Sequence, residues 1–213
     1  MSTRIRLIIF DLDGTLVDAY PAIIKSFNYT MRRFGYPVQD ALAIRRAVGW
    51  GDENLLRPFV KRGDLRKMLA VYRKHHAQAL RKHARLFPKV KSLLRYLRAQ
   101  GYALAIASNR PTKFSRILVR HLGLKAYFDY LLCADRLKHG KPHPEILQKI
   151  MKKLSVKPRA AAYVGDMSID AQAGRRAGVR TIMVTTGSSS RAEIRAERPF
   201  RIIKAVSSLR TIW

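Results

Sequence analysis

The chain has 213 residues, enough for one core domain carrying a modest insertion, and 47% are hydrophobic, which excludes a disordered or disulfide-built protein. Its 43 lysines and arginines against 14 acidic residues give a formal net charge of +29, with the cations spread along the chain rather than massed in an arm. Such a charge reads first as a surface bias and only second as a weak, salt-sensitive footprint for nucleic acid.

Arg4 and Arg6 precede only the short apolar run Leu7–Phe10, which is too brief for a targeting segment. No stretch approaches the roughly 20 apolar residues needed to span a bilayer, so a soluble, cytoplasmic protein is expected. The first predicted element is a buried strand over residues 6–10, followed by the turn Asp11-Leu12-Asp13-Gly14-Thr15. Residues 20–86 then read almost wholly as helix. Ala22, Ile23, Phe27, Thr30, Met31 and Phe34 recur at helical spacing, and Gly35 is the stop. Two short helices are expected over 41–48 and 52–60, then a long one over 64–85 with Asp64 as its N-cap.

From Phe87 the pattern alternates between helix and strand. Val90, Leu93, Leu94 and Leu97 form a helical face that Gly101 ends, and residues 102–107 read as a buried strand. A helix over 112–121 and a strand over 130–134 follow, then a helix marked by Ile146, Ile150 and Leu154. The last predicted elements are a strand over 160–164, a helix over 168–177 and a strand over 181–185. This alternation predicts an α/β fold, a parallel sheet with helices on both faces. The helical block between the first strand and the rest is then an insertion resembling a lid. The only cysteine, Cys133, follows Leu131-Leu132 and reads as a small buried hydrophobe in a reducing compartment.

Polar residues follow three of the strands: Asp11 and Asp13 the first, Ser108 and Asn109 the second, Asp166 and Asp170 the strand ending at Gly165. In an open parallel sheet the carboxyl ends of the strands share one edge, where ligands bind. Four of the fourteen acidic residues thus converge, and their repulsion calls for a hard divalent cation, Mg²⁺. Lys141, in Gly140-Lys141-Pro142-His143-Pro144, adds a positive charge on a stretch stiffened by two prolines. Carboxylates, metal, lysine and hydroxyls together make a place for a phosphate.

With these motifs in order, Asp11-Leu12-Asp13-Gly14-Thr15, Ser108-Asn109-Arg110, Lys141-Pro142-His143-Pro144 and Gly165-Asp166-Met167-Ser168-Ile169-Asp170, the chain resembles the haloacid dehalogenase superfamily, phosphoglycolate phosphatase-like branch. The resemblance spans residues 7–187. It implies a Rossmann-like core over 1–18 and 87–213, with an all-helical cap inserted over 19–86. It also implies a covalent phosphoryl intermediate on Asp11, with Asp13 as general acid and then base. Thr15, Ser108 and Lys141 would hold the phosphoryl oxygens, helped by Asn109. Mg²⁺ would be bound by Asp11, the Asp13 backbone carbonyl and Asp166, with Asp170 either supporting the metal's water shell or orienting Lys141.

Arg110 stands where the branch usually has Lys, and reads equally as a phosphate or carboxylate fork and as a surface ion pair. His143 reads as a loop-packing residue. His75, His76 and His83, on a basic helix without acidic partners, read as solvated. In the cap, Gly49-Trp50-Gly51-Asp52 is the segment expected to meet substrate, with Trp50 either stacking on a ligand or packing the cap's core. Residues 19–86 hold 15 basic and 4 acidic residues, a cationic lid suited to a small anionic substrate such as phosphoglycolate. The expected function is Mg²⁺-dependent hydrolysis of a small phosphorylated metabolite. The alternatives are a nucleotidase, pyrophosphatase or sugar-phosphate mutase on the same core, or a basic nucleic-acid-binding protein with this fold.

Overall fold

Strand β1 (Leu7–Phe10) is buried on both faces, which its unbroken apolar run requires. In the computed structural model, which describes residues 4–212, it lies at the centre of a six-stranded sheet. β1 pairs in parallel with β4 (Ala103–Ser108) on one side and β6 (Ala161–Gly165) on the other. β5 (Tyr130–Cys133) extends the sheet beyond β4, and β7 (Arg180–Val184) and β8 (Arg201–Ile203) extend it beyond β6, giving the order β5-β4-β1-β6-β7-β8.

Alternation of side chains along β1 divides the interior in two. Ile8 and Phe10 face a core shared with Leu104, Ile106 and Val164, while Leu7 and Ile9 face a second core with Ala105 and Tyr163. Helices α5 (Val90–Ala99) and α6 (Thr112–His121) bury Leu93, Leu97 and Leu118 in the first; α7 (Glu145–Lys153) and α8 (Ser168–Ala177) bury Ile146, Ile150 and Ala173 in the second. Removing one such side chain, as in Ile9→Ala, costs about 2–5 kcal/mol. The predicted Rossmann-like parallel sheet is therefore the observed one.

Four helices separate the first strand from the rest: α1 (Tyr20–Arg33), α2 (Ala41–Ala47), α3 (Asp52–Leu56) and α4 (Leu65–His83). The chain enters and leaves them through a short antiparallel pair, β2 (Val17–Asp18) against β3 (Arg85–Leu86). Two residues per strand leave no periodicity to read, so sequence reasoning missed the pair. It missed β8 and α9 (Arg191–Ala196) as well.

Gly35 does end α1: its positive φ of 71° lets Tyr36 N–H return to the Met31 carbonyl at 2.9 Å. Asp64 precedes α4, but its side chain does not cap it. The carboxylate instead accepts the Tyr36 hydroxyl at 2.6 Å, joining the start of α4 to the end of α1.

Candidate active site

Asp11 and Asp13 follow the carboxyl end of β1, Ser108 is the last residue of β4, and Asp166 and Asp170 follow β6; the parallel register brings those ends to one edge. Lys141 arrives from the loop between β5 and α7. It is only 4% exposed, and its Nζ donates to Asp11 Oδ1 and Asp170 Oδ1, both at 2.7 Å, and to the Tyr163 hydroxyl at 3.0 Å. Burial alone would lower its pKa, but the two carboxylates outweigh burial and hold the ammonium charged.

Asp11 feels the opposite balance. Burial raises its pKa to about 7 against the pull of Lys141. Asp166 is also pushed well up, by burial first and then by Asp170 and Asp11. One Asp166 oxygen accepts the Thr15 hydroxyl at 2.8 Å, while the other, Oδ2, is buried with no partner among the described residues.

The backbone around Asp166 leaves no room to spare. Gly14 adopts φ 80°, and a Cβ there, or on Gly187, would collide with the Asp166 carboxylate. Asp11, Asp166 and Asp170 each offer an oxygen within 4.8 Å of the others, and could hold a metal ion. Crowded ionisable carboxylates with an orphaned buried oxygen fit a hard divalent cation.

Within that group Asp170 is the most fully engaged. Its Oδ1 accepts Lys141 and the Tyr163 hydroxyl, the latter at 2.7 Å, and its Oδ2 accepts the backbone N–H of Asp166 at 3.1 Å and Met167 at 2.9 Å. Asp170 thus contacts Lys141 directly and also belongs to the group that could hold a metal ion. The sequence does not single out Tyr163, because a tyrosine inside an apolar strand looks like core.

Asp13 is not among the three carboxylates that come within reach of a common metal ion. Its Oδ2 accepts Arg110 Nε at 2.6 Å, and its Oδ1 is buried without a partner among the described residues. Arg110 is therefore a buried partner of Asp13 and not a surface ion pair, and Asp13 keeps it protonated despite desolvation.

Arg110 also donates from NH1 to His76 Nε2 at 2.6 Å. The expectation of a solvated His76 is overturned: it is buried, stacked on Tyr72 at 4.9 Å and met edge-on by Phe114 at 5.1 Å. Its pKa is driven well down by burial and by Arg110, so it is neutral. Because an arginine only donates, Nε2 accepts and Nδ1 carries the hydrogen, directed at Ser26 Oγ 3.2 Å away. The helical period could have flagged His76, which lies on the same face of α4 as the buried Met68, Leu69, Tyr72 and Leu80. His75 is part-buried and stacked on Tyr29 at 4.2 Å, while His83 is half-buried; burial lowers both pKa values.

Other expected residues sit differently from the sequence reading. Thr15 is fully buried against Asp166 and does not line the cleft, so its hydroxyl positions that carboxylate instead of facing a phosphate. Asn109 lines the cleft, but its amide is engaged with backbone: it donates to Gly49 O at 2.8 Å and Lys141 O at 3.0 Å and accepts from Lys141 N at 2.8 Å. It ties the α2–α3 loop to the lysine loop. Ser108 lines the cleft, its Oγ accepting Arg110 N–H at 3.2 Å. Trp50 is 47% exposed and lies outside the lining, although its neighbours Gly49 and Gly51 line it. His143 is exposed beside His139, and Cys133 is buried against Ser115.

The cleft lies between the strand ends and the inserted helices. Ile23, Val48, Leu55 and Tyr72 supply its far side. None of the fifteen basic residues of 19–86 lines it, which corrects the expectation of a cationic lid over the substrate. The physical reason is that those cations are engaged elsewhere or exposed: Arg45 lies over the Tyr20 ring, Arg46 pairs with Glu193, Arg57 with Glu53, and Arg73 with the cleft-lining Asp52, while Lys25, Arg32 and Arg33 are exposed.

The chain is similar to known hydrolases over most of its length. The family model described as haloacid dehalogenase-like hydrolase matches residues 8–184. The chain is 34% identical over 212 residues to "Probable phosphatase IndB" of Dickeya dadantii, covering 95% of this chain and 91% of that one. It is 30% identical over 213 residues to a phosphoglycolate phosphatase of Pseudomonas putida, covering 96% and 78%. A crystal structure described as a predicted phosphoglycolate phosphatase from Haemophilus somnus 129pt matches with a TM-score of 0.94 at 26% identity, covering 100% of this chain and 99% of that one. No helix among the described residues is long and apolar enough to cross a membrane. A parallel sheet with acidic residues gathered at its carboxyl edge, a buried lysine among them, and near-full-length kinship to phosphatases lead to one conclusion: the chain belongs to the haloacid dehalogenase-like hydrolase family and is a phosphoric monoester hydrolase.

Proposed function

We propose that the protein hydrolyses a small phosphomonoester of about the size of phosphoglycolate, by transferring the phosphoryl group to Asp11 and then to water. The observation that carries this reading is the buried Lys141 bridging Asp11 and Asp170 beside the unpartnered Asp166 oxygen. Lys141 leaves one Asp11 oxygen outside its contact and balances charge where a phosphoryl group would gather it. Asp11 Oδ would attack phosphorus, the P–O bond to the alcohol would break, and Asp13 would protonate the departing oxygen. Arg110 Nε engages Asp13 Oδ2, which leaves Oδ1, without a partner among the described residues, to carry that proton. Asp13, having lost its proton, would then deprotonate the water that attacks the phosphoaspartate.

Asp11 and Asp166 would hold Mg²⁺, together with the Asp13 backbone carbonyl, while Asp170 keeps Lys141 in place. The metal, when bound, supplies charge neutralisation for the carboxylates and the phosphoryl oxygens. Residues 19–86 would act as a cap that excludes water, flexing about the β2–β3 pair, with 1–18 and 87–213 as the core. A reducing, cytoplasmic setting suits the single buried thiol of Cys133.

The test is an assay of phosphomonoesters, nucleotides, pyrophosphate and sugar phosphates, with Mg²⁺ and with chelator. Turnover of small phosphomonoesters should require Mg²⁺, fall with Ca²⁺, and vanish in Asp11→Asn with its melting transition retained. Full activity in metal-free protein, or more than about a tenth of the rate in Asp11→Asn, a barrier change under ~1.4 kcal/mol, would sink the reading.

A further inference from the structure

The groups that meet the leaving half of the substrate are unlike those that meet its phosphate. Beyond Asp11, Lys141 and Ser108 the cleft is walled by Ile23, Val48, Leu55, Tyr72, Phe114 and Ile169. The charged side chains there are paired with one another, and the one oxygen left over, Asp13 Oδ1, is an acceptor that offers nothing to an anion. Arg110 serves Asp13 and His76, and Asp52 is gripped by both Arg73 Nε at 2.7 Å and Arg73 NH2 at 3.0 Å. His76 is held neutral by its burial beside Arg110, and the cap contributes no lysine or arginine to the lining. A carboxylate on the leaving group would enter an apolar wall next to Asp13 and Asp52 with no unmatched cation to receive it. Burying an anion in such surroundings is costly, whereas a hydrocarbon group gains from every Å² it covers.

We infer that the substrate is the phosphomonoester of an uncharged, largely apolar alcohol, not of a carboxylate-bearing one. This rests on the phosphatase reading above and narrows it: the phosphate supplies the charge that Lys141 and the metal site receive, and the remainder of the molecule is selected by packing. The overall charge of +29 then acts at long range, drawing the phosphate dianion toward the protein without choosing among phosphates.

The experiment compares phosphoglycolate with isobutyl phosphate, in which an uncharged isopropyl group of comparable size replaces the carboxylate. The alkoxide that leaves isobutyl phosphate is if anything the poorer leaving group, so intrinsic reactivity does not favour the expected result. With Mg²⁺ present, isobutyl phosphate should show at least about a tenfold higher kcat/KM, a difference carried by the apolar wall. Val48→Arg places a cation in that wall at a half-buried position, so the fold should tolerate it. It should narrow the preference at least threefold, through a lower KM for phosphoglycolate. Equal or better turnover of phosphoglycolate by the unaltered enzyme overturns the inference and leaves the phosphatase reading standing. Preference for isobutyl phosphate left unchanged by Val48→Arg also overturns it, since the wall would then not be the selector. Absence of Asp11-dependent turnover of both compounds overturns the phosphatase reading and the inference with it.

Discussion

The floor and the far wall of the cleft solve opposite problems with opposite residues. The floor buries Asp11, Asp166, Asp170 and Lys141 at the sheet edge, where each charge must be matched by another charge, a hydrogen bond or a metal. The wall, built from the inserted helices, presents Ile23, Val48, Leu55 and Tyr72 inward and keeps its many cations out of the lining. In a chain with only 14 acidic residues, three of them in the floor, charge is concentrated where phosphate chemistry needs it and excluded where a leaving group must pack. The difference shows that net charge says little about a pocket until the direction of each side chain is known.

The floor breaks hardest at its one cation. Lys141→Met removes the partner of both Asp11 and Asp170, leaving buried carboxylates unpaired, and should lower stability by about 3–5 kcal/mol. The rate should fall by about 100-fold or more, measured at a temperature where the variant remains folded. A variant within 1 kcal/mol of the parent by denaturant melting, or one with near-normal kcat, would show that Lys141 is not the keystone of the floor.

Metal should mend what the floor's own charges strain. Asp11 and Asp166 have folded-state pKa values raised above those of an unfolded carboxyl, Asp11 to about 7. Between about pH 4 and 7 the metal-free folded state thus holds more protons than the unfolded one, and these groups make stability fall as pH rises through that window. Mg²⁺ favours the ionised forms. It should raise the melting temperature by about 5 °C at pH 7.5, and by clearly less at pH 5.5, in thermal-shift measurements. An equal gain at both pH values would place the metal elsewhere.

Where wall and floor meet, His76→Leu should cost about 1–3 kcal/mol by leaving an Arg110 N–H without its acceptor. It should also remove part of the acid sensitivity of the fold. Buried neutral His76 has a lowered pKa, so its contribution to stability is present above about pH 6.5 and declines as pH falls below it. The measurement is denaturant melting of parent and variant at pH 7.5 and 5.5. The smallest effect belongs to Trp50, which faces solvent: Trp50→Ala should shift stability by no more than ~0.5 kcal/mol and leave kcat/KM unaltered.

The same contrast governs what could be read from the sequence. The floor was legible because strands, turns and carboxylates recur in a fixed order, and a parallel sheet brings their ends together whatever the intervening chain does. The central strands differ from their expected spans by a residue, as with 103–108 against 102–107. The partners that orient the floor were hidden. Tyr163 and the hydroxyl role of Thr15 depend on which residues a strand end faces across the sheet, which no local pattern records. The wall was legible as helices but not as a surface. Counting the cations of 19–86 gave a charged lid, and only their ion pairs and solvation reveal an apolar one. Trp50 shows the same limit, since glycines with φ of 114° and 88° on either side set its direction independently of any periodicity.

The central claim is that Asp11 carries the phosphoryl group. The direct measurement is a rapid acid quench of the enzyme mixed with a ³²P-labelled phosphomonoester and Mg²⁺, followed by peptide mapping of the trapped label. The account predicts a hydroxylamine-sensitive label on the peptide containing Asp11, formed no later than the alcohol is released and absent from Asp11→Asn. Release of alcohol and phosphate at full rate with no labelled protein at any quench time, or a label on another residue, would contradict it.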